Sequence, residues 1–486
     1  MGRYPVTIIL LGFILYTLAL SPSCAVNPVT GERELMLLSE EDEVKLGRRT
    51  DEAIVKQYGL YEDEELTHYV RNLGQKLAKV SHRPNLDYKF KVMDTSVINA
   101  FAVPGGYVYF TRGILSSLNS EAELAGVLGH ELGHITARHS AKQYSRAQVA
   151  QIGLGLGSLI SETFRDYAGI AQAGVGMLFL SFSRDNEREA DDLGVEYSSK
   201  VGYDANRMAK FFKTLERMNP GSGKNGLPGW FSTHPNPVDR QEAVKRKTAE
   251  WQQKLALKSP KIESHAYLDK IDGLVYGEDP RQGYVKDGIF FHPTFLFQFP
   301  IPNGWNVQNT PSLVNMISKE KDAAIQFSLS SKGTPKGEAQ RFVDKTQASV
   351  LRSDSTRVSG FQAYRVVSQI KTNDGILQVM SFFIDKENKT YVFHGYSSQK
   401  RFGDYRSVFR NTMRGFKTPS NPDRLRRKPD RVKIHYTKKP GTVRQALKSF
   451  GVKDEDLKKM GIMNGRNLDD HVPIRTAFKT VVEGDR

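Results

Sequence analysis

Residues 129–134 read Gly-His-Glu-Leu-Gly-His. The stretch around them is helical in pattern, so His130 and His134 leave the same face one turn apart, about 40° from each other around the axis. That spacing lets two imidazoles reach one zinc ion at about 2 Å each. Glu131 points about 100° away from His130. There it can lie beside an open coordination position and contact water rather than the metal. The competing reading is a pair of surface histidines on an amphipathic helix. Ala122, Leu124, Ala125, Val127 and Leu128 argue against it, because they make the helix apolar and buried. Two unpartnered histidines would be costly in such a place.

A third ligand is needed. His139 follows His134 by five residues, which puts it about 140° round a continuous helix. Ala137 also stands where the HExxHxxGxxH pattern has its glycine, so His139 reads as structural. The better source lies in residues 183–191, Ser-Arg-Asp-Asn-Glu-Arg-Glu-Ala-Asp. Glu187 and Asp191 share a helix face, and Glu189 points elsewhere. One carboxylate can bind zinc while the other hydrogen-bonds a ligand histidine. A solvated charged helix is the plain alternative. The single cysteine excludes an internal disulfide framework and every Cys-rich zinc site, so histidines and carboxylates must hold any metal.

The elements that position these residues can be read from pattern. Ser39 caps a helix whose first turn is acidic, and a second helix spans about 63–80. Residues 88–93 alternate as a strand. Pro104-Gly105-Gly106 turns one strand into another between Asn99 and Phe110. A helix is predicted from Ser120 to about Ala141, two buried helices between Val149 and Phe182, and further helices near 184–200, 204–218 and 237–255. After Pro260 the texture changes. Strands are predicted at 323–330, 358–370, 377–384 and 391–398, with helices at 338–351 and 402–416. Residues 372–375 and 385–389 read as hairpin turns. A Pro-rich basic linker covers 418–429. The last piece, 431–482, reads strand, helix, helix, strand.

HELGH followed some fifty residues later by Glu-x-x-x-Asp resembles the zinc metallopeptidases of the HtpX-like and CAAX-prenyl-protease-like family. The soluble periplasmic BepA-type branch is the most similar, since no spanning helix flanks the motif. The resemblance covers about residues 30–260. It rests on residues 99–106 (Asn-Ala-Phe-Ala-Val-Pro-Gly-Gly), His130 to His134, Glu187 to Asp191, and Ser232-Thr233-His234-Pro235. It implies one Zn2+ per chain bound by His130, His134 and Glu187, with Glu131 catalytic and Asp191 supporting a ligand. It implies that zinc-bound water is activated by Glu131, and that the strand of Asn99, Ala100, Phe101 and Ala102 pairs with extended substrate. In that branch the histidine matching His234 can take the fourth zinc position. A transition-state donor and a plain loop histidine stay open beside that role. The helical repeats that often follow the protease in this branch have no counterpart here.

Charge and address bound the rest. The chain has 486 residues, 39% hydrophobic and 26% charged, so a folded body of two or three domains is expected. The net charge is +16, and from Arg401 onward 22 basic residues against 10 acidic leave +12 in the tail. An anionic partner suits that tail. Nucleic acid is not expected for an exported chain with few tail aromatics. Residues 6–20 form an apolar run of signal-peptide length, and Leu20-Ser21-Pro22-Ser23-Cys24 resembles a bacterial lipobox. Residues 297–305 with the strands after them resemble a PsbP/Mog-type sandwich. Residues 439–443 and 463–465 resemble a LysM module, which implies peptidoglycan binding.

The expected organisation is a lipoprotein-type signal peptide at 1–24, a mainly α zincin-type (gluzincin) protease domain with a small β-sheet at 30–260, an α+β sandwich-like domain at 265–418 and a small βααβ module at 430–484. The expected function is a zinc endopeptidase of the bacterial periplasm, held at the outer membrane by a lipid on Cys24. Its expected substrates are misfolded or unassembled envelope proteins. A latent or non-proteolytic assembly scaffold, binding peptidoglycan or partner proteins, is the competing class.

Overall fold

The computed structural model describes residues 24–153, 181–218, 229–235, 239–330, 333–372, 375–421 and 426–484. Residues 1–23 of the expected signal peptide, residues 154–180 of the two expected buried helices, the centre of the 372–375 turn and part of the 418–429 linker lie outside the described residues. No helix among the described residues is long and apolar enough to cross a membrane. The chain is a multidomain assembly of helices and sheets.

The N-terminal part begins with a short hairpin, β1 (Cys24–Val26) and β2 (Arg33–Leu35). Helix α1 (Glu40–Tyr58) is capped by the Ser39 side chain and opens with four acids, as its sequence demands. Helix α2 (Glu64–Lys79) is capped by Asp63. Strands β3 (Lys89–Met93), β4 (Ala100–Val103) and β5 (Tyr107–Thr111) form a sheet in the order β3-β5-β4. Among the described residues strand β4 is therefore an edge, paired only with β5. Gly105 and Gly106 turn β4 into β5 with φ of 81° and 94°, a region that favours glycine.

Next come α3 (Arg112–Ser117), α4 (Glu121–Thr136), α5 (His139–Gly153), α6 (Arg184–Lys200), α7 (Asn206–Met218), the single turn α8 (Trp230–Thr233), α9 (Arg240–Lys254) and α10 (Ser264–Lys270). Here one expectation is corrected. The helix predicted from Ser120 to Ala141 is two helices, broken at Arg138, whose φ is 56°. A non-glycine residue adopts that conformation only when its surroundings impose it. They do so through the buried carboxylate of Glu43, which takes the guanidinium of Arg138 on one oxygen and Arg83 on the other, at 3.2 Å. The Leu38 carbonyl holds a second nitrogen of Arg138 at 2.9 Å.

The middle part has a three-stranded sheet, β6 (Tyr284–Lys286), β7 (Ile289–His292) and β8 (Phe297–Pro300). It also has a seven-stranded antiparallel sheet built from β9 (Asn306–Thr310), β10 (Leu313–Ile317), β11 (Ala323–Ser330), β12 (Ser349–Val358), β13 (Phe361–Thr372), β14 (Gly375–Lys386) and β15 (Lys389–Ser398). Its order is β12-β13-β14-β15-β11-β10-β9. Phe297, Phe299, Phe327, Phe393 and Phe416 pack on one face, with α12 (Phe402–Arg414). Helix α11 (Pro335–Thr346) covers part of the other through Ala339 and Phe342. The helix predicted to 351 stops at Thr346. Gln347 takes a left-handed φ of 50°, and the chain turns into β12. The turn between β14 and β15 has positive φ at Glu387 and Asn388, the pattern of a two-residue hairpin.

The C-terminal part contains β16 (Arg431–Tyr436), β17 (Gly441–Thr442), α13 (Val443–Ser449), α14 (Leu457–Met463), β18 (His471–Val472) and β19 (Ala477–Val482). Strands β16 and β19 pair, and Thr442 with Gln445 makes a reciprocal cap on α13. This part is not a bead on a string. Val432, Leu447, Met460 and Phe478 share one hydrophobic core with Leu124, Leu128, Phe211 and Tyr267. Residues 273–276 lie against the start of β16, with Gly273 N–H donating to Val432 C=O and Val432 N–H to Leu274 C=O, both at 2.8 Å. The buried Lys479 ammonium donates to the carbonyls of Ser116 and Leu118 at 2.8 and 2.7 Å, just before α4. Burial pushes the Lys479 ammonium down and the neighbouring Glu123 carboxyl up, and each charge supports the other.

Lys479→Met leaves the Ser116 and Leu118 carbonyls buried without their donor and removes one of the positive charges that act on Glu123. The expected loss is about 1–3 kcal/mol of stability, the usual cost of a buried polar group left unsatisfied. Denaturant unfolding of the two chains measures it, and an unchanged midpoint would contradict the role given to Lys479.

Candidate metal centre

The site is built by two helices that touch backbone to backbone. A Cβ at Gly129 would lie 2.9 Å from the Gly194 carbonyl oxygen, and one at Gly194 would lie 2.9 Å from the His130 nitrogen. A Cβ at Gly133 would meet Ala190 Cα at 3.0 Å. Glycine at these places lets α4 and α6 approach closely. The motif histidines of α4 thereby face Glu187 and Asp191 of α6. Ser120 caps α4 and Ser183 caps α6, so both helices start where the sequence signals them.

One donor atom each from His130, His134, Glu187 and His234 lie within 4.8 Å of one another, and all four residues are buried. The Nε2 atoms of His130 and His134 are 3.0 Å apart. His234 Nδ1 is 3.3 Å from His130 Nε2 and 3.0 Å from Glu187 Oε1. His134 Nε2 is 3.4 Å from Glu187 Oε1. Donors about 2.0–2.1 Å from a shared tetrahedral ion stand about 3.3 Å apart, so these separations fit a zinc ion. The chemistry fits as well. His130 Nδ1 faces Asp191 Oδ1 at 2.9 Å, and the carboxylate can only accept. The His130 Nε2 thus carries a lone pair in the neutral ring, turned toward other donor atoms. Glu187 Oε2 and His234 Nε2 are buried with no hydrogen-bond partner among the described residues. Three nitrogens and a carboxylate in a dry site are a donor set for zinc.

The electrostatics follow from burial. It drives both motif imidazoles well below the usual histidine range, keeping them neutral as ligands must be. Burial also works to raise Glu187, but His234, His134 and His130 outweigh it and hold the carboxyl well below its ordinary value. His234 is raised, because the carboxylates of Glu187 and Glu131 together overcome its desolvation. Burial pushes Glu131 up to about 7. Both Glu131 oxygens are buried without a hydrogen-bond partner among the described residues, and Oε1 lies 3.7 Å from His234 Nε2.

Three features escaped the sequence reading. Arg240 is buried and donates to Asp191 Oδ1 at 2.7 Å, with Glu187 Oε2 at 3.4 Å and its guanidinium carbon 3.7 Å over the Phe212 ring. Burial pushes the Asp191 carboxyl up to about 7, and Arg240 pulls against that. The signal was present: Arg240, Val244 and Thr248 are the buried stripe of α9, and an arginine on such a stripe needs a partner. Trp230 stacks on His234 with centroids 4.2 Å apart, and its backbone N–H donates to Ile98 C=O, just before β4. Finally, His139 is not turned away from the site. The break at Arg138 re-aims it, so its Nδ1 lies 3.0 Å from His134 Nδ1 and its Nε2 lies 3.0 Å from Glu189. Of the expected edge strand, Ala100, Phe101 and Ala102 lie in β4, and Asn99 precedes it, its backbone N–H donating to the Thr111 hydroxyl and its C=O accepting from that hydroxyl.

These features define a metal centre of the HExxH kind. Residues 64–248 match the profile of Peptidase family M48. The chain is 30% identical over 233 residues to the beta-barrel assembly-enhancing protease of Yersinia pestis, covering 46% of this chain and 47% of that one. It is 29% identical over 231 residues to the protein of the same name from Escherichia coli K12, with the same coverage. It is 31% identical over 236 residues to the mitochondrial metalloendopeptidase OMA1 of Schizosaccharomyces pombe, covering 46% of this chain and 65% of that one. The chain spans about half the length of the beta-barrel assembly-enhancing proteases it matches. Family M48 peptidases use zinc, which agrees with the donor set.

Gly194→Ala is expected to push α6 off α4. Overpacking of this kind costs about 1–3 kcal/mol, and the donor separations open with it. Zinc content after dialysis, measured beside the unfolding midpoint, checks both effects. Full retention of zinc would show that the close helix contact is not what assembles the site.

Proposed function

We propose that the chain is a zinc-dependent endopeptidase of the bacterial cell envelope that hydrolyses peptide bonds of misfolded or unassembled envelope proteins. The observation that carries this reading is the buried Glu131, with both oxygens free, beside a four-residue donor set. A purely structural zinc site needs no such base. His130, His134 and Glu187 would hold the ion, with Asp191 and Arg240 orienting His130 and Glu187. Bound zinc supplies Lewis acidity, which acidifies water and polarises a carbonyl. Glu131 takes a proton from water and later delivers it to the leaving amine nitrogen. The free edge of β4 receives extended substrate as an added strand. Trp230 links that strand to the centre through Ile98 and His234.

His234 is the fourth donor of the set, which favours a resting form that must release His234 before substrate enters. This supports, as second reading, a chain that is latent until a partner displaces the histidine. The name beta-barrel assembly-enhancing protease, carried by two of the relatives, supports a role in the assembly of beta-barrel proteins. The periplasmic location, a lipid on Cys24, a sandwich-like domain at 265–418 and peptidoglycan binding through a LysM-like module at 430–484 belong to the same proposal. The tail's excess of basic residues supports attachment to an anionic wall or membrane.

The test is cleavage of casein by the lipid-free chain. The wild type is expected to cut and to stop when a chelator is added. Glu131→Gln is expected to lose about 10²–10⁴-fold in rate. If neither protein cuts, His234→Ala separates latency from a non-proteolytic scaffold, since only a latent enzyme gains activity. Equal cleavage by wild type and Glu131→Gln would overturn the assignment of the base.

A further inference from the structure

We propose that His139 and Glu189 form a hydrogen-bonded relay that fixes His134 in the tautomer a zinc ligand requires. This positioning role rests on the zinc reading given above.

The argument is one of proton placement. His134 Nδ1 and His139 Nδ1 are 3.0 Å apart, and a single proton fits between them. His139 Nε2 lies 3.0 Å from Glu189 Oε2. A carboxylate only accepts, so the proton of that bond sits on His139 Nε2. The neutral His139 ring then offers Nδ1 as a lone pair. His134 must donate its Nδ1–H to that lone pair. Its Nε2 is left bare and faces His130 Nε2 at 3.0 Å and Glu187 Oε1 at 3.4 Å. The carboxylate of Glu189 thus selects the tautomer of His134 across an intervening ring.

The surroundings hold the relay in place. Glu189 Oε1 is buried without a hydrogen-bond partner, so His139 is the one hydrogen-bonding group that Glu189 meets among the described residues. The ammonium of Lys142, one turn along α5, is taken by Glu34 at 2.6 Å. Phe182 stacks on His134 with centroids 4.0 Å apart and lies 6.2 Å from His139, which shields the pair from water. His130 is treated the same way by Asp191 without an intermediary. All three carboxylates, Glu187, Glu189 and Asp191, come from α6. One ligates and the other two set the ring nitrogens of the two motif histidines.

The relay is tested on metal-stripped protein by measuring zinc affinity against a competing chelator. His139→Phe keeps a ring but removes the acceptor, and zinc affinity is expected to fall about 10–100-fold, the usual cost of losing such a partner. His139→Gln offers a carbonyl oxygen to His134 and is expected to restore most of that loss. Glu189→Ala is expected to weaken zinc as well. His139→Phe that is folded without metal and binds zinc as tightly as the wild type overturns the relay. A wild type that binds no zinc sinks the zinc reading itself, which is a separate result. Should His139→Phe fail to fold, nitrogen-15 NMR of histidine-labelled wild type decides. Protons on His139 Nε2 and His134 Nδ1 are expected, and a proton on His139 Nδ1 overturns the proposal.

Discussion

Backbone contact between α4 and α6 is the constraint on which the rest of the site depends. Helices usually pack 8–10 Å apart because side chains keep them there. Here Gly129 and Gly133 meet Gly194 and Ala190, and the helices close until main-chain atoms touch. The closeness brings short side chains on two elements to separations near 3 Å. A metal site tolerates errors of only about 0.2 Å in its ligand distances. Long, flexible side chains reaching across a wider gap would not meet that tolerance without further support.

Closing the gap also removes water, and the polar groups must then satisfy one another. His130, Glu131, His134, Glu187, Asp191, His234 and Arg240 are all buried. Most are held in one network of hydrogen bonds and ion pairs, with Arg240 as its resident cation. Glu131 is the exception, with two unpartnered oxygens. A buried carboxylate with free lone pairs is expensive to keep in a folded protein, and such expense clusters where chemistry is done. A second buried ionic group, Glu43 with Arg83 and Arg138, lies at the helix break that brings His139 to the site. The two networks meet through the short segment from His134 to His139.

Much of this was legible in the sequence. The HExxH spacing implied a shared helix face, and Glu187 with Asp191 four residues on implied another. Those are local rules with a fixed period, and the structure keeps them. The failures were non-local. The helix through Ser120 to Ala141 has no proline or glycine at its break, and Arg138 takes its strained φ because of Glu43, ninety-five residues earlier. Nothing near Arg138 announces that partner. The angle computed for His139 on an unbroken helix was therefore wrong, and Glu189 was left pointing at nothing. Arg240 was missed for the same reason, since its partners sit on α6. Strand β12 was partly read as helix because its exposed face carries mixed polar residues without clean alternation.

The anchoring of Lys479 has a consequence for the order in which the molecule can be completed. A chain synthesised from its N-terminus delivers Ser116 and Leu118 more than three hundred residues before the ammonium that meets their carbonyls. Until β19 arrives, the start of the helix bearing both motif histidines lacks the donor that two carbonyls take in the finished fold. The part that bears the metal centre therefore completes its packing late, after the middle and C-terminal parts have been made. A site assembled in this way stays unfinished until the last strand is in place.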